Sequence, residues 1–124
     1  MAKVLLVEDD PILLKMYGEK FLISGFDVIT AYGGEEGLAK AKKEHPDFII
    51  VDLMMPKVDG SAVIEELKGN PQTEKIPVAI FTVIPQDSSN IKDELISKTV
   101  YYWLKDKVKP SQMVEQVQQY LKTH

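Results

Sequence analysis

Five short apolar runs, at residues 4–7, 26–30, 48–51, 78–81 and 100–104, punctuate this chain, and longer stretches with helical spacing lie between them. The runs are too short for helices, and their branched and aromatic content marks them as strands. After the first run, Pro11 suits a helix start, Asp10 is placed to cap it, and Leu13, Met16, Tyr17 and Phe21 recur at helical spacing until Gly25. A second helix is predicted over residues 35–44 with Leu38, Ala39 and Ala41 inward, entered from Gly33-Gly34 and closed by His45-Pro46. A third, residues 62–68, carries Val63, Ile64 and Leu67 and ends at Gly69-Asn70-Pro71. A weakly amphipathic fourth follows a polar loop and cap region at residues 85–89 and covers 91–97. A fifth starts at Pro110 with Met113, Val114, Val117, Tyr120 and Leu121 in one stripe.

Strand and helix alternate throughout, which predicts an α/β fold: a doubly wound parallel sheet with helices on both faces and right-handed crossovers. Runs 4–7, 48–51 and 78–81 carry the least polar content and belong in the interior, whereas Asp27 interrupts run 26–30 and suits an edge. Among doubly wound orders, 2-1-3-4-5 puts the right three strands inside.

Composition narrows the functions. The 124 residues are expected to form one domain, residues 1–124, large enough for a core without metals or disulfides. The absence of cysteine excludes a thiol catalyst, a disulfide framework and a cysteine zinc site, and fits a reducing compartment. A formal charge of −4 and the lack of any arginine argue against direct nucleic-acid binding. The apolar run after Lys3 is too short for a signal peptide or a membrane span, so a cytoplasmic location is expected.

The candidate chemistry lies where the runs end. Ligands of open α/β sheets bind at the carboxyl ends of the strands. There the first run meets Glu8, Asp9 and Asp10, the third meets Asp52, the fourth Thr82 and the fifth Lys105. Met55-Pro56 and Asp59-Gly60 are expected as turns over the Asp52 end. Carboxylates crowded at one edge repel unless a cation lies between them, and an all-oxygen set favours Mg²⁺. Lys105 offers a point charge for a phosphoryl oxygen and Thr82 a hydroxyl, so the set reads as a phosphoryl-transfer site with Asp52 as nucleophile.

The segments VLLVEDDP, IIVDLMMPKVDG, VAIFT and YYWLK closely resemble the receiver domains of two-component response regulators, and the resemblance covers essentially the whole chain. It implies a flavodoxin-like, three-layer fold, with Asp52 as the phosphoacceptor and Glu8 and Asp9 as the acidic pair that serves Mg²⁺. The backbone carbonyl of Met54 would complete the metal shell. Thr82 and Lys105 would bind the phosphoryl group as switch residues, and Tyr102 would be the mobile aromatic. Partners would be a sensor histidine kinase or histidine phosphotransfer protein, and an effector on the face of the fourth helix, fifth strand and fifth helix. Receivers place water-orienting residues two past the phosphoacceptor and two past the switch threonine. Here these are Met54 and Ile84, and with the branched Val83 they are expected to restrict access.

Two departures from the family pattern stand out: Lys105 is followed by Asp106 rather than proline, and Lys98-Thr99 replaces the usual Gly-Ala. Lys109-Pro110 reads as a helix entry, because it sits in a polar loop. Three other functions compete. An aspartate-nucleophile phosphohydrolase wants a second Asp two residues after the first, where this chain has Met54. A flavin-binding module wants a phosphate cradle where Glu8-Asp9-Asp10 stand. A receiver-like interaction module that takes no phosphate has no need of five such residues. Tyr101, Trp103 and Tyr120 are expected to pack in or near the core, and His45 and His124 to lie at the surface.

Overall fold

A computed structural model describes residues 2–55, 59–87 and 91–124, arranged as five parallel strands in the order β2-β1-β3-β4-β5. The elements are β1 (Lys3–Val7), α1 (Pro11–Ile23), β2 (Asp27–Ala31), α2 (Gly34–Glu44), β3 (Phe48–Val51), α3 (Gly60–Gly69), β4 (Val78–Thr82), α4 (Asp93–Ser97), β5 (Tyr101–Leu104) and α5 (Pro110–Thr123). This is the expected order, with the least polar strands β1, β3 and β4 inside it. The expected turn at Pro56 and the capping part of the loop at Ser88 and Ser89 lie outside the described residues.

The central strands β1, β3 and β4 alternate between two cores although almost every residue in them is apolar. Val4, Leu6, Phe48, Ile50, Ala79 and Phe81 face α1 and α5, where Leu14, Tyr17, Phe21, Met113, Val114 and Val117 meet them. Leu5, Val7, Ile49, Val51, Val78 and Ile80 face the other way, against Ala41, Val63, Ile64, Leu67 and Leu95. Each such fully buried aliphatic side chain contributes roughly 1.5–3 kcal/mol. Trp103 is buried, and Tyr101 stacks on it with ring centroids 5.1 Å apart.

Several elements depart from expectation. The buried stripe of α1 is Leu14, Tyr17, Gly18 and Phe21, so Met16 is exposed and Leu13 only half-buried. Hydrophobicity surrounds this helix, and the inward face is fixed by packing on the sheet rather than by pattern. In α2 it is Gly37 and Ala41 that are buried while Ala39 faces outward, because Gly37 lets the helix lie against Val7. Helix α3 begins at Gly60, and Asp59-Gly60 is a helix start rather than a turn: Asp59 Oδ1 accepts the Ser61 N–H at 2.8 Å. Helix α4 begins at Asp93, with Lys92 before it and Ile91 buried outside it, and is only five residues long. Edge strand β2 runs one residue later than expected, with Phe26 buried ahead of it.

His45 closes α2 in the left-handed region at φ 49°, and Asp10 caps α1 by accepting the Ile12 and Leu13 N–H groups at 2.9 and 3.4 Å. Strand register carries both helices' neighbours to one edge. Val7 pairs with Val51, and the Asp52 N–H donates to the Val7 carbonyl at 3.1 Å, so Glu8 and Asp52 emerge side by side. Likewise Thr82 pairs with Leu104, and the Lys105 N–H donates to the Thr82 carbonyl at 2.9 Å.

Gly60 decides how closely α3 approaches that edge. A Cβ there would lie 2.0 Å from the Asp52 carbonyl oxygen and 2.6 Å from Leu53 Cα, both backbone. At Gly37 a Cβ would meet the Val7 side chain, its methyls at 2.8 and 2.9 Å and its Cβ at 3.4 Å, rather than backbone. Gly60→Ala is therefore expected to destabilise by about 2–3 kcal/mol or more through overpacking. Gly37→Ala is expected to cost less, because about 1 kcal/mol of helix propensity offsets its strain. Urea unfolding of the two variants checks the order; equal effects would show that the backbone contact at Gly60 is not limiting.

Candidate functional site

At the carboxyl edge of the sheet, two parallel strands end in buried acids. Glu8 follows β1 and Asp52 follows β3, with exposures of only 4% and 2%. Burial of two carboxylates demands a compensating charge, and the lysine after β5 supplies it. Lys105 Nζ lies 2.8 Å from Asp52 Oδ2, in a hydrogen bond, and 2.5 Å from Glu8 Oε1. The second contact is a charge pair without hydrogen-bond alignment, since Glu8 Oε1 is buried with no hydrogen-bond partner. The chain's own ammonium thus sets a positive charge against both acids.

The remaining polar groups are organised by the local backbone. Asp52 Oδ1 accepts the Met54 N–H at 3.0 Å, and Glu8 Oε2 accepts the Asp10 N–H at 3.2 Å. Asp9 is exposed, yet its carboxylate joins those of Glu8 and Asp52 in a group whose ligand oxygens lie within 4.8 Å of one another. Thr82 is fully buried, and its Oγ1 accepts the Ile84 N–H at 3.4 Å, which leaves its proton free to be donated. The Tyr102 hydroxyl donates to the Ile84 carbonyl at 2.6 Å, tying β5 to the segment after β4. Met54 and Val83 expose 55% and 59% of their surface, and Ile84 is half-buried. Lys109 stands far from these contacts in role, as the residue before α5, where its N–H donates to Gln112 Oε1 at 2.9 Å.

Electrostatics follow from this packing. Burial pushes the Glu8 carboxyl up to about 7, opposed by Lys105 and reinforced by the Asp52 charge and by Asp9. Burial works to lower the Lys105 ammonium, but its bonds to Asp52 and Glu8 prevail and raise it. Burial also raises the Tyr17 and Tyr102 hydroxyls. The set therefore holds a proton-hungry carboxylate beside an ammonium that stays charged. Hard oxygen donors clustered this way, one of them buried without a hydrogen bond, fit a divalent cation such as Mg²⁺.

Sequence reasoning placed the acids, Thr82 and Lys105 at strand ends and Tyr102 within the fifth strand. It missed two supports. Asp10 braces Glu8 as well as capping α1, and Tyr17 donates its hydroxyl to the Val108 carbonyl at 2.9 Å. A tyrosine hydroxyl on an otherwise buried helical stripe was the available signal for the second.

The geometry has relatives. A family model described as the response regulator receiver domain matches residues 4–118. The chain is 36% identical over 92 residues to the DNA-binding dual master transcriptional regulator RpaA of Synechocystis sp., covering 74% of this chain and 38% of that protein. It is 36% identical over 89 residues to the alkaline phosphatase synthesis transcriptional regulatory protein PhoP of Bacillus subtilis, covering 72% of this chain and 36% of that one. The matches thus span about a third of the length of these curated relatives. Among solved structures, the chemotaxis protein CheY4 of Vibrio cholerae superposes with a TM-score of 0.83 at 30% identity, over 96% of this chain and 98% of that one.

The raised Glu8 carboxyl has a measurable effect on stability. The folded protein holds this proton up to about pH 7, whereas the unfolded chain releases it near 4.5. Glu8 therefore favours folding most below pH 4.5, and that contribution is lost as the pH rises through 7. In chelator-treated protein, wild type is expected to lose on the order of 2–3 kcal/mol relative to Glu8→Gln across this window. Parallel stability curves for the two proteins would show that burial does not raise Glu8.

Proposed function

Because this chain belongs to the response regulator receiver family, we propose that Asp52 is the residue that accepts the phosphoryl group in its two-component signalling role. The observation that carries the reading is the Lys105 ammonium bound to buried Asp52 and Glu8, with the buried Thr82 hydroxyl on the adjoining strand end. In the reaction, a carboxylate oxygen of Asp52 attacks the phosphorus of a phosphohistidine on a sensor kinase or phosphotransfer protein. The P–N bond breaks as the new P–O bond forms, and the imidazole departs with a proton. Glu8, Asp9, Asp52 and the Met54 carbonyl are the groups that would hold Mg²⁺, whose contribution is to neutralise charge on the phosphoryl oxygens. Lys105 pairs with one phosphoryl oxygen and the Thr82 hydroxyl donates to another, both preorganised at the strand ends.

The transfer replaces one carboxylate charge by the larger negative charge of an acyl phosphate. Lys105 and Thr82 then follow the new charge, and Tyr102, hydrogen-bonded to Ile84, couples that movement to the face formed by α4, β5 and α5. That face is the proposed effector surface. The protein acts as a regulatory phosphoacceptor whose only chemistry is gain and loss of its own phosphate. Among the described residues no helix is long and apolar enough to cross a membrane, in keeping with partners met in the cytoplasm.

Lifetime of the phosphate is set by access. Hydrolysis needs a water in line with phosphorus, and neither Met54 nor Ile84 can orient one by a side-chain hydrogen bond. With the stiff Val83 beside them, these residues keep the acyl phosphate long-lived.

Incubation with acetyl phosphate and Mg²⁺, followed by intact mass, tests both statements. Wild type is expected to gain one phosphoryl group and Asp52→Asn none; a gain that survives Asp52→Asn overturns the assignment. Met54→Asn and Val83→Ala are each expected to speed decay of the phosphoprotein roughly tenfold, the scale of about 1.4 kcal/mol in a barrier. Decay indifferent to both substitutions would remove access as the controlling factor.

A further inference from the structure

The loop that follows β5 carries Lys105 at its start and is held from behind by a helix on the other side of the chain. Within the loop, the Lys107 and Val108 N–H groups both donate to the Leu104 carbonyl at 3.0 Å, folding it into a tight turn. The Val108 carbonyl then accepts the hydroxyl of Tyr17, 91 residues away on α1, at 2.9 Å. Tyr17 is itself immobilised: it is buried, and its ring packs on Phe81 with centroids 4.8 Å apart at 55°. The Phe81 ring in turn lies beneath the Lys105 ammonium, 5.5 Å from its centre.

The other end of the same helix is fixed to the acids. Asp10 caps α1 and donates its N–H to Glu8 Oε2, and Glu8 is paired with Lys105. A closed circuit results, running from Glu8 through Asp10 and two turns of α1 to Tyr17, across to Val108, and back along the loop to Lys105.

We propose that Tyr17 is a positioning residue for Lys105: its hydroxyl anchors the loop after β5 and its ring supports Phe81, so that the ammonium is held between Glu8 and Asp52. A flexible four-carbon side chain loses much rotamer freedom when its ammonium is fixed on two carboxylates. Anchoring the loop on the far side of Lys105 reduces the freedom that the charge pairs alone must overcome. Phenylalanine at position 17 would keep the ring contact and leave the Val108 carbonyl without its donor, which separates the hydroxyl's role from core packing.

The functional half of this inference rests on the reading that Lys105 serves phosphoryl transfer, whereas the positioning half does not. The test therefore has two arms. In the first, an amine-acylating reagent is applied to phosphate-free protein, and the labelling rates of individual lysines are read by peptide mass. Tyr17→Phe is expected to raise the labelling of Lys105 about three- to fivefold, the scale of one lost neutral hydrogen bond. Lys68, whose ammonium is held by the Glu74 and Ile76 carbonyls, serves as the remote protected control and is expected to stay unchanged. Unchanged Lys105 labelling, or a parallel rise at Lys68 that reports general loosening, overturns the proposal.

The second arm measures the rate of phosphorylation by acetyl phosphate. Tyr17→Phe is expected to slow wild type by a similar factor and to have no further effect in a Lys105→Ala background. A Tyr17→Phe effect that persists without Lys105 would mean that the tyrosine acts through the fold at large, against the proposal. If wild type takes no phosphate at all, the phosphoacceptor reading fails, while the labelling arm still decides whether Tyr17 positions the lysine.

Discussion

Two carboxylates buried side by side at the end of a parallel sheet are unstable as a pair of anions, and the architecture around them answers that constraint. Glu8 and Asp52 are adjacent because β1 and β3 pair in register. Removing one partner from a buried ion pair typically costs about 3–5 kcal/mol. The Lys105 ammonium, carried to the same edge by β4 and β5, offsets the repulsion between the two acids.

The helices serve this edge unequally. Helix α3 comes within touching distance of the Asp52 backbone because Gly60 has no side chain, and α1 reaches both Glu8 and the Lys105 loop. Among the described residues, helix α4 makes no such contact. Five residues long, started by Lys92 without a side-chain cap and burying Leu95, it is the shortest helix among the described residues. Low local stability of this kind is where conformational change is cheapest. Nearby, the Tyr102 hydroxyl on the Ile84 carbonyl ties β5 to the segment after β4.

Most of the fold was legible in the sequence because strand runs and helix signals alternate cleanly, and Asp27 marked β2 as an edge strand. The acidic cluster was legible for a related reason: Glu8, Asp9 and Asp52 each follow directly on a buried run. Less legible was anything that depends on the third dimension. The repulsion of the acids called for a cation, but that Lys105, 53 residues beyond Asp52, fills the role at rest is a matter of packing. The phase of α1 was misjudged because Ile12, Met16, Leu22 and Ile23 are exposed, so its apolar residues encircle the helix rather than marking one side. Asp59 looked like a turn residue because Asp-Gly is a common turn pair, while its Oδ1 bond to Ser61 made it a cap. The polar role of Tyr17 was hidden by its place in an apolar stripe.

The division of the core carries one more consequence. On the α1 and α5 side lie Tyr17, Phe21, Phe26, Phe48, Phe81 and Trp103; on the other side every fully buried core residue is aliphatic. Strands that are apolar on both faces cannot use polarity to say which way each side chain should point, and a slip of one residue would leave them just as greasy. Bulk makes the distinction instead. A slipped β3 or β4 would thrust Phe48 or Phe81 among the closely fitted branched chains of the opposite layer and leave a void where a ring belongs. In β3 and β4, ring size sorted to one side favours the alignment that carries Asp52 and Thr82 to the same edge.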